Sequence, residues 1–478
     1  MSFKKLQINS ETFLKKNENN HFLYGISFAH ILKKHPAFDK LLKKKDNTRK
    51  ILNYFIRFIN DIITLRFFKK TFLAESEVLI VSNLLNQKYL NDKDDFYFGN
   101  FNSFLNKNKI SNFFLLRNFT SIDSEILNNR KKSENKFILS NLSDFNYEFF
   151  LFVLLLKNYI WENFKLIFND KTNQLNFNKF LKFNSIRTSV GNHRLAYQIL
   201  KICKKVKPKI IIFTYEGHAW EKLLISKIKK FYKKKITCIG YQFSTLTTSS
   251  YSIFKKRKKI FMPDYILTTG YISKKKFIEK RVLPKNKILK IGSFKNIKTI
   301  FNYKSRNKNI LVLPEGFLSE TKLLVEFIIS LSKKNKQYKF IIRLHPLVDR
   351  NYIEKKIYNY KNIILSKNKI LNKDIKISSY VFYRGTSAVF DCIFKNVHPI
   401  YIDNKDGISI DPLFFIKKRS ILKIDKVETN LDVFLKNETR KEKSKKIYEQ
   451  ANKFFSSIDY SSLEKILKKN IKFNSNNF

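Results

Sequence analysis

Three short clusters in this sequence combine residue types that can move a proton or hold a phosphate. The first is Tyr215-Glu216-Gly217-His218, with Trp220 and Glu221 just behind it. A carboxylate beside a glycine can take a proton from a hydroxyl, because the glycine lets a substrate approach the backbone. Glu216 is then the candidate base, and Gly217, His218 and Trp220 are candidates to line an acceptor. The competing reading is structural, since an acid in the first turn of a helix is favoured by the helix dipole. The second cluster is Arg343-Leu344-His345-Pro346. The proline holds His345 in an extended geometry, from which it could act as general acid or hydrogen-bond donor to a departing phosphate. The third is Arg384-Gly385-Thr386-Ser387. Backbone N–H groups, two hydroxyls and a positive helix end make an anion site, with a plain N-cap as the simpler alternative. Gly316, which ends the run begun at Asn309, joins Arg343, Arg384, Gly385, Thr386 and Ser387 as a candidate donor-binding residue.

These clusters need elements to position them, and each follows a short β-rich run. Lys209 to Thr214 precedes the first, Lys339 to Leu344 runs up to the His-Pro of the second, and Tyr380 to Tyr383 precedes the third. Such runs alternating with helical patterns predict parallel βαβ units, which place ligands at the carboxyl edge of the sheet. The fold class is therefore α/β, with two Rossmann-like domains. Residues 1–75 read as a helical N-terminal extension. Residues 76–300 read as the first domain, with strands expected at Val78–Ser82, Phe96–Phe98, Phe113–Leu116, Phe137–Leu139, Ile236–Tyr241 and Pro263–Thr269. A buried helix is expected from Glu148 to Phe168, a helix from Arg194 to Val206, and another from Ala219 to Tyr232. The stretch 284–308, with Pro284 and Gly292, suits a linker. Residues 301–430 read as the second domain, opening with the strand Asn309–Leu313 and a helix capped by Ser319. Residues 431–478 read as a helical tail.

A chain of 478 residues is long enough for two or three domains. Hydrophobic content of 43%, with 15% aromatic, excludes disorder as the global state. Lys+Arg number 95 and Asp+Glu 39, a net charge of +56. The lysines are scattered along the whole chain, and there is neither zinc-finger spacing nor an RNP-like motif, so nucleic acid is not an expected partner. Peripheral contact with an anionic membrane is. The same charge also follows from A/T-rich coding, which enriches Lys, Asn, Ile, Phe and Tyr and leaves only 10 Gly and 8 Pro. Cys203, Cys238 and Cys392 are too few and too far apart for a disulfide framework or a metal cage. Asp94-Asp95 reads as a solvated loop pair, so no metal or other cofactor is expected. No apolar segment follows Met1-Ser2-Phe3-Lys4-Lys5 as a signal peptide requires, and the apolar run Phe149 to Leu156 is far short of the ~20 residues of a spanning helix. The expected location is the cytoplasm, peripheral at the inner face of the membrane.

Taken together, the acidic residue before Gly, the His-Pro and the Thr-Ser pair resemble the bacterial sialyltransferase and polysialyltransferase group of GT-B glycosyltransferases. They also resemble the wider set of enzymes of capsule and surface-carbohydrate biosynthesis. The resemblance covers roughly 200–405 and implies two domains facing across a cleft. It implies Glu216 as base on the acceptor hydroxyl, His345 at the donor phosphate, and Thr386 and Ser387 on the same phosphate. Where that group carries two acids before the glycine, this chain has Tyr215 and then Glu216. The implied function is metal-independent transfer of a sugar from a nucleotide-sugar donor to a glycan or lipid-linked glycan acceptor. Two other classes use the same frame, a sugar-nucleotide epimerase and a non-catalytic polysaccharide assembly protein.

Overall fold

The computed structural model describes residues 73–475, apart from short stretches that include 169–173, 294–299, 303–306 and 405–409, and it describes a few isolated positions before 73. The expected helical extension over 1–75 lies almost wholly outside the described residues, although Ile56, Ile59, Asn60 and Ile63 are helical. The first sheet contains β1 (Val78–Leu84), β2 (Asn112–Asn118), β3 (Lys136–Ile138), β4 (Ile210–Thr214), β5 (Thr237–Gln242), β6 (Tyr265–Thr268) and β7 (Ile288–Lys290). Their order is β3-β2-β1-β4-β5-β6-β7 and every pairing is parallel. The second sheet contains β8 (Asn309–Leu313), β9 (Lys339–Ile342), β10 (Ile363–Leu365), β11 (Tyr380–Tyr383), β12 (His398–Asp403) and β13 (Ser420–Lys423). It is also wholly parallel, in the order β10-β9-β8-β11-β12-β13.

The central strands are continuous apolar runs because helices cover both faces. Ile210, Ile211, Ile212 and Phe213 of β4 are all 0% exposed, so no alternation survives. In each sheet the chain first winds outward one way and then restarts the other way. The reversal falls between β1 and β4 in the first sheet, and between β8 and β11 in the second. Crevices at such reversals, outside the carboxyl ends of the strands, are where α/β sheets hold ligands.

Several local expectations are corrected. Phe96–Phe98 is a turn, not a strand. Asp95, expected to be solvated, is half-buried and builds that turn, accepting from the Ser82 hydroxyl (2.9 Å) and the N–H groups of Tyr97 (2.8 Å) and Phe98 (2.9 Å). The supposed linker contains β7, paired with β6, so the connection is shorter than the polar composition indicates. The helix around 148–168 runs from Phe145 to Phe168 and is only half covered: Leu151 is buried, while Phe149 and Phe150 are 55% and 50% exposed. It lies at the surface against the helix Gln174–Val206, pinned by Glu148 to Arg194 at 2.6 and 2.7 Å. The helix after β8 starts at Leu318, which puts Ser319 inside its first turn, not at its cap.

The C-terminal segment is not a separate tail. The helix Lys441–Phe454 packs on the helix Tyr271–Glu279 of the first domain and on the helix Val389–Ile393 of the second. Phe454 is fully buried there, its ring 4.8 Å from Phe415 and 5.3 Å from Phe390. The chain then docks along the carboxyl ends of β6 and β7. Ser456 N–H donates to the Thr269 carbonyl (2.9 Å), Ser293 N–H to the Ser456 carbonyl (2.9 Å), and Asp459 N–H to the Ile291 carbonyl (2.8 Å). The helix Ser461–Ser475 finally lies on the first sheet, where Leu463 and Leu467 join one core cluster with Val78, Ile80 and Ile212. Tyr271–Glu279 follows the carboxyl end of β6, and Val389–Ile393 follows that of β11. The bridging helix therefore holds the carboxyl edges of both sheets on one side of the molecule.

Candidate functional site

The loop after β4 sits at the reversal of the first sheet, and the helix Ala219–Tyr232 begins directly behind it. The Glu221 carboxylate, only 1% exposed, closes this turn from inside. It accepts from the backbone N–H groups of Glu216 (2.9 Å), Gly217 (2.8 Å) and His218 (2.9 Å). Burial is the strongest influence on Glu221 and lifts its pKa to about 7, against the opposing pull of His218 and of the Glu216 N–H. With the turn clamped in this way, the side chains of Glu216 and His218 meet. Glu216 Oε2 lies 2.9 Å from His218 Nε2, and the two side chains remain 36% and 26% exposed. Burial alone would lower the His218 pKa. The hydrogen bond to Glu216 and the charges of Glu221 and Glu216 outweigh it, so the imidazole titrates above its ordinary value.

Two residues, one on β2 and one on the turn after β1, complete this edge. Arg117, near the carboxyl end of β2, stacks its guanidinium 5.0 Å from the rings of both Trp220 and Phe119. Burial lowers its pKa to about 10, so it remains a cation, within electrostatic reach of Glu221, Tyr97 and Glu216. Tyr97, on the turn built by Asp95, has its phenol raised to about 12 by burial and then by the charge of Glu216. The edge thus presents a carboxylate–imidazole pair beside a half-sheltered arginine and a tyrosine.

At the reversal of the second sheet, the loops after β8, β9 and β11 converge. Gly316 is pressed against the His345 ring so closely that a Cβ there would lie 2.9 Å from Nδ1. Gly385 has a φ of +62°, and a Cβ on it would meet the Glu315 carboxylate at 2.8 Å. Only glycine satisfies both the left-handed backbone and that contact. Glu315 Oε2 is buried with no hydrogen-bond partner among the described residues. Burial and then the charge of Glu320 raise the Glu315 pKa to about 7, although Arg384 pulls the other way. Burial lowers the pKa of His345, which favours the neutral ring. Thr386 Oγ1 accepts from the Ala388 N–H (3.2 Å), shaping the loop in front of a helix of only five residues.

The clusters expected from the sequence therefore divide. Glu216, Gly217 and His218 come together at one edge, and Gly316, His345 and Gly385 at the other, with Thr386 and Ser387 partly exposed beside them. Two named side chains, Arg384 and Trp220, are buried away from solvent, and Arg343 commits one nitrogen to the protein while staying 22% exposed. Arg384 is 1% exposed and donates Nε to Glu320 (2.6 Å) and NH1 to the Ile402 carbonyl (2.5 Å). Arg343 donates NH1 to the buried carboxylate of Asp374 and to the Asn368 carbonyl, both at 2.8 Å. Trp220 is 3% exposed and packs edge-on to Phe213, so it supports the loop from behind and does not line an acceptor surface. Arg117, Tyr97 and Glu315 were not singled out as site residues by spacing, and Glu221 was noted behind the first cluster without a role of its own. Of the three that went unnoticed, Glu315 carried a local signal, a carboxylate before a glycine at a strand end, the same pattern that marked Glu216. Among the described residues no group of three or more His, Cys, Asp or Glu side chains is placed to hold a metal ion. Nor is any helix among them long and apolar enough to cross a membrane.

Two parallel-sheet, Rossmann-like domains with their carboxyl edges held together by a crossing C-terminal helix define the GT-B architecture. The chain is similar in structure to the calicheamicin glycosyltransferase CalG4, at a TM-score of 0.51 and 8% identity, over 83% of this chain and 98% of that one. It is equally similar to a protein from Listeria monocytogenes assigned as a UDP-N-acetylglucosamine 2-epimerase, at a TM-score of 0.51 and 11% identity, over 83% and 95%. At these identities the likeness establishes the shared fold, one that serves both glycosyl transfer and epimerisation. No protein-family model matches the sequence, and the comparison with curated proteins gives no match either.

Proposed function

We propose that this chain is a glycosyltransferase of the GT-B type, taking a sugar from a nucleotide-sugar donor held at the second sheet to an acceptor hydroxyl at the first. The observation that carries this reading is the Glu216–His218 pair, set at the reversal of one sheet and still open to solvent. A carboxylate that solvent still reaches, held in place by a hydrogen-bonded imidazole, can accept the acceptor's proton. At the facing edge, His345 and the Gly385–Ser387 loop would receive the donor phosphates, with no metal required in that role. The motif set resembles surface-carbohydrate enzymes, which supports a growing capsule, lipopolysaccharide or similar glycan as the acceptor, lipid-linked or free. The reaction would then take place in the cytoplasm, at the inner face of the membrane.

The equal likeness to an epimerase favours one second reading, conversion of a free sugar nucleotide without any acceptor. Incubating the chain with a panel of sugar nucleotides, with and without glycan acceptors, separates the two, since an epimerised sugar formed without acceptor would replace the transferase reading. Glu216→Gln keeps the shape of the side chain but removes the base, so turnover should fall by about 10²–10⁴-fold with donor binding retained. Unchanged turnover would remove Glu216 from the chemistry.

A further inference from the structure

We propose that the first domain carries a second ligand site, for a membrane lipid with an anionic phosphate headgroup, at the sheet edge opposite Glu216. A cavity of about 1190 Å³ opens there, somewhat larger than the roughly 300–1,000 Å³ of ordinary small-molecule sites. Thr237 and Tyr265, which line it, are the first residues of β5 and β6, so it lies at the amino edge of the sheet. Strands of this length separate it from the carboxyl edge by roughly 15–20 Å. It is therefore distinct from the carboxyl edge that carries Glu216, and it stands apart from the reaction assigned to that edge.

The wall chemistry selects the occupant. The interior is apolar, with Ile236, Met262, Ile278 and Leu283 among its lining residues. The rim is cationic: Lys233, Lys256, Lys259, Arg281 and Lys285 are all exposed around it. The one carboxylate in the lining, Asp264, is occupied by Lys229 Nζ (3.0 Å) and by the Cys238 N–H (2.9 Å). A ring of cations with no facing carboxylate but Asp264 among the described lining residues, around an apolar interior, matches a ligand with an anionic head and a hydrocarbon body. Free phosphate would satisfy only the rim. Phe231, two residues before Lys233, adds a ring that is 62% exposed, and apolar residues flanked by long cationic stems suit the membrane interface.

The test must separate a seated lipid from diffuse attraction, because a net charge of +56 draws the whole chain to any anionic surface. The full chain is first heated with monomeric dioctanoyl phosphatidylglycerol, with dioctanoyl phosphatidylcholine, and with inorganic phosphate. The phosphatidylglycerol should raise the thermal midpoint, as a ligand of the native state does. Ile278→Trp, which fills the cavity, should abolish that shift. Flotation with phosphatidylglycerol vesicles then compares the rim variant Lys256→Glu/Lys285→Glu with a control of equal charge on the second domain, Lys355→Glu/Lys361→Glu. The rim variant should lose about tenfold or more in vesicle binding, and the control less than about twofold. The proposal is overturned if phosphate alone reproduces the midpoint shift, if phosphatidylcholine does so equally, or if Ile278→Trp folds and leaves the shift intact. Equal losses in the rim and control variants would overturn it too, and surface charges of that kind test it even if Ile278→Trp does not fold.

Discussion

At the scale of single residues, one of the two arginines marked by the sequence as phosphate ligands, Arg384, is buried in an ion pair, and the carboxylates behind the loops carry the unusual chemistry. Arg384 neutralises Glu320 inside the second domain, where the pair is almost inaccessible to water. Removing one member of a buried pair strands the other, so Arg384→Ala should cost about 3–5 kcal/mol of unfolding free energy. Denaturant melts would show this, and a change below about 1 kcal/mol would mean the pair does not hold the loop. Glu315 permits a sharper prediction. Its proton is retained up to about pH 7 in the folded chain, whereas an unfolded glutamate releases it near 4.5. Between those values the folded state binds more protons than the unfolded one, so stability falls as the pH rises. Glu315→Gln cannot titrate and should flatten part of that slope, leaving the share contributed by Glu221, which is also raised to about 7. Unfolding free energies measured across this window would decide it, and an unaltered slope would place the Glu315 charge in water.

At the scale of elements, the return of the C-terminus is what completes the first domain. Without the helix Ser461–Ser475, the face of the sheet carrying Val78, Ile80 and Ile212 would lack part of its cover. Leu467 is fully buried on that face, so Leu467→Ala should destabilise by about 2–5 kcal/mol, the range for a truncated core leucine. Calorimetry with the isolated change would show which transition moves. If only a late, C-terminal transition shifted while the first domain melted unchanged, the helix would be an accessory, not a core element. Another element-scale device is His398, 2% exposed, whose ring nitrogens meet Ser444 Oγ (2.9 Å) and Ser420 Oγ (2.8 Å). It ties the start of β12 to the bridging helix and makes no contribution to the cleft, as a buried, satisfied histidine should.

At the scale of the whole molecule, the bridging helix sets how the two carboxyl edges meet. Its final residue, Phe454, stacks with Phe390 and Phe415 of the second domain, and the next residues hydrogen-bond to the first. Lys276 adds a contact between domains, its ammonium 4.4 Å from the Phe414 ring. Phe454→Ala should therefore cost about 3–5 kcal/mol and loosen the two domains relative to each other. Small-angle scattering with and without nucleotide would register the loosening as a larger nucleotide-dependent change than in the parent chain. Identical scattering curves for the two proteins would show that the interface is held elsewhere.

Much of this architecture was written locally. Strands β4, β8, β9 and β11 and the helix Ala219–Tyr232 could be read from apolar runs and their polar ends, because a doubly covered parallel sheet demands uninterrupted hydrophobic strands. The loops carrying Glu216, His345 and Gly385 were legible for the same reason: each is where such a run stops. What no spacing rule could supply was side-chain direction. A strand-end arginine looks the same in a sequence whether it faces a phosphate or, like Arg384, a buried glutamate contributed from 64 residues earlier. Arg117 and Tyr97 reach Glu216 only through pairing between β1, β2 and β4, which joins segments about a hundred residues apart. The C-terminal helices carry an ordinary amphipathic pattern, and that pattern states that one face is buried without naming the sheet that buries it. Local periodicity determined which elements exist and where their ends lie. Long-range packing alone decided which of the charged groups at those ends remained open to a ligand.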